Sequence, residues 1–214
     1  MTIRIGAVIL AAGTASRMGR QKLLLPLEHK PLLAHVLATV AQLQWEDNLV
    51  VVGEPRQDLT ALGSQYGIRT IFNPNRLSGQ ASSVATAIAH LSGKVDGVIF
   101  LPGDQPLITT GLLKALISRF AESASNKRIV VPCYEGEYRS PVLFGSAWLP
   151  ALAALSGDRG GRHFISGNQE IVDPVEWFDE HVFWDADTWD DYLRLVQYLH
   201  VHKLQLMDKV EGDR

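Results

Sequence analysis

Apolar positions along the chain change period in a regular way. Ile3 to Leu10 is an apolar run rich in branched residues, the pattern of a strand covered on both faces. Leu32, Leu33, Val36, Leu37, Val40 and Leu43 then recur at helical spacing. Asn48 to Val52 reads as a second strand, Leu59 to Tyr66 as a short helix and Ile68 to Phe72 as a third strand. Val84, Ile88 and Leu91 mark another helix, and Gly97 to Leu101 another strand. Thr109 can cap the next helix, whose apolar stripe is Leu112, Leu113, Leu116, Ile117 and Phe120. Strand and helix alternate throughout, which predicts an α/β fold: a mostly parallel sheet with helices on both faces. In such a sheet ligands bind beyond the carboxyl ends of the strands.

From Arg128 onward the rhythm breaks. Arg128 to Pro132, Pro141 to Phe144, Glu170 to Asp173 and His181 to Trp184 read as short strands among irregular segments, an insertion or sheet extension expected to cover the site. A last helix begins near Thr188, with Asp191 three residues on for mutual capping, and is expected to turn Trp189, Tyr192, Leu193, Val196 and Leu199 inward.

Composition narrows the possibilities. Across 214 residues, 46% hydrophobic and 20% charged side chains are globular values, and a net charge of −3 offers no global positive field to nucleic acid or an anionic membrane. The single cysteine, Cys133, cannot close an intramolecular disulfide, and no Cys/His zinc spacing is present. With no secretory core region and no apolar stretch of membrane-spanning length, a cytoplasmic location is expected. Charge is unevenly placed. Met1 to Leu27 carries four basic residues and no acid, whereas Glu170 to Asp191 holds nine acids and no Lys or Arg. Most of those nine are expected to form a solvated face.

Four segments concentrate chemistry. Leu10-Ala11-Ala12-Gly13-Thr14-Ala15-Ser16-Arg17-Met18-Gly19-Arg20-Gln21-Lys22 leaves the first strand. Small side chains at Ala11, Ala12 and Gly13 let backbone N–H groups approach an oxyanion, Ser16 adds a hydroxyl, and Arg17 and Lys22 supply fixed positive charge. The spacing matches neither a Walker A loop nor the dinucleotide G-x-G-x-x-G. Pro102-Gly103-Asp104-Gln105-Pro106 ends a strand at the ligand-binding edge, where a carboxylate suits Mg²⁺ and turn chemistry equally explains the composition. Asp185-Ala186-Asp187-Thr188 precedes the last helix, where Asp187 or Thr188 is also a natural N-cap. Between them, Asn73 to Val84 joins a strand to a helix with Ser78, Gly79, Gln80, Ser82 and Ser83, residues suited either to capping or to a base edge.

With these residues in place the chain resembles the MobA-like nucleotidyltransferases of molybdenum-cofactor synthesis. Their signature, a Leu-Ala-Ala/Gly-Gly turn with Ser-x-Arg-Met-Gly and a following Lys, is matched from Leu10 to Lys22, and the likeness runs on to Asp191. The resemblance implies a three-layer α/β/α, Rossmann-like sheet of the nucleotide-diphospho-sugar transferase type. It implies one domain over residues 1–214, with a nucleotide-binding half at 1–130 and an acceptor-binding and C-terminal half at 131–214.

The resemblance also implies roles. Lys22 and Arg17 hold a triphosphate, with Leu10, Ala11, Ala12, Gly13 and Ser16 around the nucleotide, and Gly79, Gln80 and Ser83 lie against base and ribose. Asp104 and Asp187 hold Mg²⁺, with Asp185 in reserve. Arg139, Pro141, Asp158, Gly160 and Arg162 lie near the acceptor, although Arg139-Ser140-Pro141 departs from the family's usual Gly-His-Pro or Gly-Asn-Pro. Ala12 and Gln105 lean toward the cytidylyl branch, hence CTP as donor, molybdopterin as acceptor and a molybdoenzyme apoprotein as onward partner. The alternatives are a guanylyltransferase, a sugar- or alcohol-phosphate nucleotidyltransferase of the same fold, a nucleotide-binding accessory protein, and a nucleotide-cofactor oxidoreductase. The scattered histidines read as structural.

Overall fold

A computed structural model of the protein describes residues 3–13, 18, 21–123, 125–157 and 161–212, with side chains as far as Val201 other than that of Arg162. The first half alternates as expected: β1 (Ile5–Ala11), a hairpin of β2 (Pro26–Leu27) and β3 (Lys30–Pro31), α1 (Leu32–Ala41), β4 (Asp47–Val52), α2 (Arg56–Gln65), β5 (Arg69–Phe72), α3 (Gln80–His90), β6 (Gly97–Pro102) and α4 (Thr110–Ser123). Thr109 accepts the expected capping bond from the Leu112 amide at 3.2 Å. The second half adds β7 (Ile129–Tyr134), β8 (Glu137–Tyr138), β9 (Val142–Gly145), α5 (Leu149–Ala153), α6 (Arg162–Gly167), β10 (Val172–Glu176) and α7 (Trp189–Gly212).

The main sheet runs β10-β7-β9-β6-β1-β4-β5, with β8 paired to β7. Strands β6, β1, β4 and β5 are mutually parallel, as are β7 and β10, whereas β9 is antiparallel to both neighbours, β6 and β7. The expected extension is therefore a continuation of the same sheet. Because side chains alternate across a strand, Ile5, Ala7, Ile9 and Ala11 of β1 join one core with Leu33 and Leu37 of α1, Leu59 of α2, Leu112 and Leu116 of α4 and Leu195 of α7. Val8, Leu49, Val51, Val98 and Phe100 face the opposite way, onto Val84 of α3, Leu152 of α5 and Ile165 of α6. Two helical layers enclose one sheet.

Three expectations for the second half are corrected. Residues 181–184 are not a strand: Glu180–Phe183 is a 3₁₀ turn, started by Asp179, whose side chain accepts from the His181 amide. The segment at Glu170 to Asp173 splits into a 3₁₀ turn, Gln169–Ile171, and the later strand β10. In α7 the capping box forms as read, with Thr188 N to Asp191 Oδ2 at 3.0 Å and Asp191 N to Thr188 Oγ1 at 3.2 Å. The inward stripe, however, is Tyr192, Leu195 and Leu199, while Trp189 and Leu193 are 42% and 57% exposed and Val196 is also exposed. The helix presents only one narrow stripe to the sheet, and its rotation is set by Leu195, which is fully buried.

Asp173 departs from the solvated acidic face. It is 4% exposed, and it accepts from Arg128 Nε at 2.6 Å, from Arg128 Nη2 and from Arg119 Nη2 at 3.2 Å. The Arg128 hydrogen bonds hold its carboxyl below the ordinary range, with desolvation opposing and the charges of Arg128 and Arg119 assisting. A depressed folded-state pKa gives stability that is present above the unfolded value and lost as pH falls through the folded one. Asp173→Asn is therefore expected to cost about 2–3 kcal/mol at pH 7, with solvent screening the partly open arginines. In thermal melts the gap to the parent should narrow steadily below about pH 4. A gap independent of pH would exclude the carboxylate as its source.

Candidate active site

Every loop singled out above lies at the carboxyl edge of β1, β5 or β6, or at the entry to α7. The end of β6 is pressed onto β1: Gly103 N donates to Leu10 O at 2.9 Å, and a Cβ at Gly103 would itself sit 2.9 Å from that oxygen. Only glycine permits this approach, which sets Asp104 beside the start of the phosphate-type loop. Lys22 reaches the same point from a 3₁₀ turn, Lys22–Leu24, pinned by the buried Leu23 and by Gln21, whose Nε2 donates to Glu54 O at 2.6 Å.

Lys22 Nζ donates to Asp104 Oδ2 at 2.6 Å and to Asp187 Oδ1 at 2.7 Å. Side chains 82 and 165 residues apart in sequence thus meet at one ammonium. Burial works to lower the Lys22 pKa, but the Asp104 charge and the hydrogen bonds to Asp104 and Asp187 outweigh it and the net shift is upward, keeping the ammonium charged. Asp185 stands beside them. Burial first, then the charges of Asp104 and Asp187, push its pKa up to about 6.

Two adjoining clefts open here. The smaller, about 280 Å³, is lined by Leu10, Ala12, Gly13, Arg76, Gly79, Gln80, Ser83, Pro102 and Asp104. The larger, about 480 Å³, shares Leu10, Gln80, Pro102 and Asp104 with it and adds, among others, Phe100, Gln105, Ser140, Val142, Phe144, His163 and Asp185. Six of the residues expected around a nucleotide, Leu10, Ala12, Gly13, Gly79, Gln80 and Ser83, therefore meet in one cleft with Asp104. Ala11 does not: its side chain is buried in the core beneath β1. The serines are also structural partners, since Asn73 Nδ2 donates to Ser82 Oγ at 2.9 Å and to Ser83 Oγ at 3.0 Å. Gly79 has φ +94°, a left-handed conformation that suits glycine, and it leads directly into α3.

The expected acceptor residues are less convergent. Pro141 is buried, Ser140 lines the larger cleft, and Arg139 is paired with Glu137 at 2.6 Å rather than lining either cleft. Ser16, Arg17, Asp158 and Gly160 lie outside the described residues, as does the side chain of Arg162.

Sequence reasoning missed Arg76, whose stem passes Gly53 so closely that a Cβ there would lie 2.7 Å from Arg76 Cδ. Its place four residues after Phe72 gave a faint signal: it is a cation just beyond the carboxyl end of β5. The aromatic wall of the larger cleft was missed as well. Phe100 and Phe144 pack edge to face at 6.2 Å because β9 runs antiparallel beside β6, and no local pattern announces that pairing.

Comparison with known proteins agrees with this geometry. Residues 7–173 match the MobA-like NTP transferase domain, so the chain belongs to that family and is a nucleotidyltransferase. The purine catabolism protein PucB of Bacillus subtilis is 29% identical over 194 residues, covering 86% of this chain and 92% of PucB. Nicotine blue oxidoreductase of Paenarthrobacter nicotinovorans is 28% identical over 201 residues, covering 90% and 96%. The crystal structure of Rv0371c from Mycobacterium tuberculosis H37Rv superposes with a TM-score of 0.80 at 26% identity, covering 92% of this chain and all of that one. The same protein has been solved in complex with manganese, a structure of TM-score 0.77 and 25% identity covering 91% of this chain and 98% of that one. Among the described residues no helix is long and apolar enough to cross a membrane.

Proposed function

We propose that residues 1–214 act as one unit that transfers CMP from CTP to the terminal phosphate of molybdopterin, with Mg²⁺ and with release of pyrophosphate. The observation that carries this reading is the pair of clefts meeting at Asp104, one lined by the phosphate-type loop and the start of α3, the other closed by an aromatic wall. A reaction that joins two anionic substrates needs two adjoining compartments and positive charge between them.

The donor set suits the metal. Asp104 Oδ2 and Asp187 Oδ1 converge on one point, where they are bridged by the Lys22 ammonium, and hard carboxylate oxygens are the ligands Mg²⁺ and Mn²⁺ prefer. Mg²⁺ commonly uses one or two protein carboxylates and completes its shell with substrate phosphates and water. When bound, the metal would neutralise phosphoryl oxygens.

The chain itself does the rest. Lys22 and Arg76 set positive charge against the triphosphate, and the Ala12–Gly13 backbone lies open to it. The small cleft orients the nucleotide, so that an acceptor phosphate oxygen in the larger cleft attacks the α-phosphorus in line. A new P–O bond forms, the bond to the β-phosphate breaks, and pyrophosphate carries away the electron pair. No covalent intermediate on the protein is required. Asp185, its pKa pushed up to about 6 by burial and by the charges of Asp104 and Asp187, adds a third carboxyl at the edge of the larger cleft. The residue class at Ala12 and Gln105 favours cytidine, and the aromatic wall suits a planar acceptor.

Pyrophosphate release with molybdopterin and each of CTP, GTP, ATP and UTP tests the proposal. CTP is expected to be turned over, at least about tenfold faster than GTP, a difference of about 1.4 kcal/mol. Preference for GTP would move the assignment to the guanylyl branch, turnover only with sugar or alcohol phosphates would replace the acceptor, and nucleotide binding without pyrophosphate would indicate a carrier. Turnover of nicotine blue, the compound in one relative's name, assayed with nicotinamide cofactors, serves as the control for an oxidoreductase.

A further inference from the structure

The two carboxylates that meet at Lys22 arrive on separate segments, and their relative position depends on what ties those segments together. Asp104 sits in the turn after β6; Asp187 sits between the 3₁₀ turn Glu180–Phe183 and α7. Two hydrogen bonds join these stretches away from the ammonium. The Ala186 amide donates to the Asp104 backbone carbonyl at 3.2 Å, and Gln105 Nε2 donates to the Phe183 carbonyl at 3.1 Å.

Gln105 is 7% exposed, so its bond is shielded from water, and its Oε1 is a buried oxygen without a hydrogen-bond partner. An apolar side chain of equal size would avoid that unpaired oxygen. What the amide contributes is the single bond to Phe183. We propose that Gln105 is a positioning residue: its side chain fixes the Phe183–Asp187 segment against the Asp104 turn and so sets the separation of the two metal carboxylates. This inference rests on the reading of Asp104 and Asp187 as metal ligands, and it gives Gln105 a structural task beside the family likeness that leans toward cytidine. The smaller cleft, which holds the nucleotide in that reading, does not include Gln105 in its lining.

The geometry makes a selective demand on cations. Mg²⁺ requires near-ideal short octahedral contacts, whereas Ca²⁺ accepts longer and irregular ones. Loosening the carboxylate pair should therefore penalise Mg²⁺ more than Ca²⁺. General unfolding or softening would penalise both alike.

The test uses the full chain and Mn²⁺ alone, titrated by the electron paramagnetic resonance signal of the free ion, with Mg²⁺ and Ca²⁺ as competitors. Gln105→Leu is expected to weaken Mn²⁺ and Mg²⁺ by about tenfold to a hundredfold, the usual effect of removing a group that orients metal ligands. Ca²⁺ should change by less than about threefold. Gln105→Met provides a second apolar replacement should the leucine variant fail to fold, as judged by circular dichroism. Unaltered Mn²⁺ affinity in a folded variant, or equal losses of Mg²⁺ and Ca²⁺, would overturn the positioning role. Asp104→Asn separates the two levels. If it loses Mn²⁺ while Gln105→Leu does not, the carboxylate assignment stands and the clamp fails; if it binds Mn²⁺ as the parent does, both fall together.

Discussion

Lys22→Ala is expected to lower nucleotidyl transfer by roughly two to three orders of magnitude, the loss of about 3–4 kcal/mol of transition-state stabilisation that follows removal of one preorganised charge. The argument starts from the side chain's setting. The side chain is only 13% exposed and its ammonium is held at 2.6 and 2.7 Å by two carboxylates, so it is already oriented before any substrate enters. Where a cation takes those carboxylates the ammonium is displaced only locally, and it stays at hand to oppose negative charge that develops on a leaving pyrophosphate. Lys22→Arg should recover little, because a planar fork cannot sit as a compact point charge between Asp104 and Asp187. The fold should survive, since the turn is anchored by Leu23 and Gln21 rather than by the lysine. Removing the lysine leaves Asp104 and Asp187 without their counter-ion, so the melting temperature should fall while the transition stays cooperative. Steady-state rates and melts on the same preparation check both halves. A rate within about tenfold of the parent would remove Lys22 from the phosphate site.

What could be read beforehand, and what could not, divides along physical lines. β1, β4 and β6 were legible because strands buried on both faces are continuous in sequence, and α1 and α4 because their apolar positions repeat at helical spacing. The capping box at Thr188 and Asp191 was legible because it is local. Failures came where tertiary context decides. The inward face of α7 depends on which residues meet the sheet, and its sequence offers two apolar stripes, of which Leu195 selects one. The segment at His181 carries a strand-like composition, yet the Asp179 side chain captures its first amide and winds it into a 3₁₀ turn. At the site, Lys22, Asp104 and Asp187 could be named from motifs, but their meeting at one point is a property of the sheet's crossovers. The aromatic wall is further from sequence still, since it needs an antiparallel strand placed beside a parallel one.

The two carboxylates of Asp185-Ala186-Asp187 take different positions in the structure. Lys22 Nζ bonds Asp104 and Asp187, so these two oxygens flank one ammonium, whereas Asp185 lines the larger cleft and interacts with them through charge. Asp104→Asn and Asp187→Asn preserve shape while removing a negative charge from that point, and each is expected to cut turnover at saturating CTP by at least about a hundredfold, close to 3 kcal/mol. Each should also raise the Mg²⁺ concentration needed for half-maximal rate, because a hard cation held by few protein oxygens loses much of its binding with any one of them. Asp185→Asn should lose less, and its Mg²⁺ requirement should stay near the parent's. Rates measured across a Mg²⁺ series for the three variants decide the order. An Mg²⁺ curve unchanged in Asp187→Asn but displaced in Asp185→Asn would exchange their roles, while no displacement in any of the three would leave the carboxylates as counter-ions to Lys22 alone.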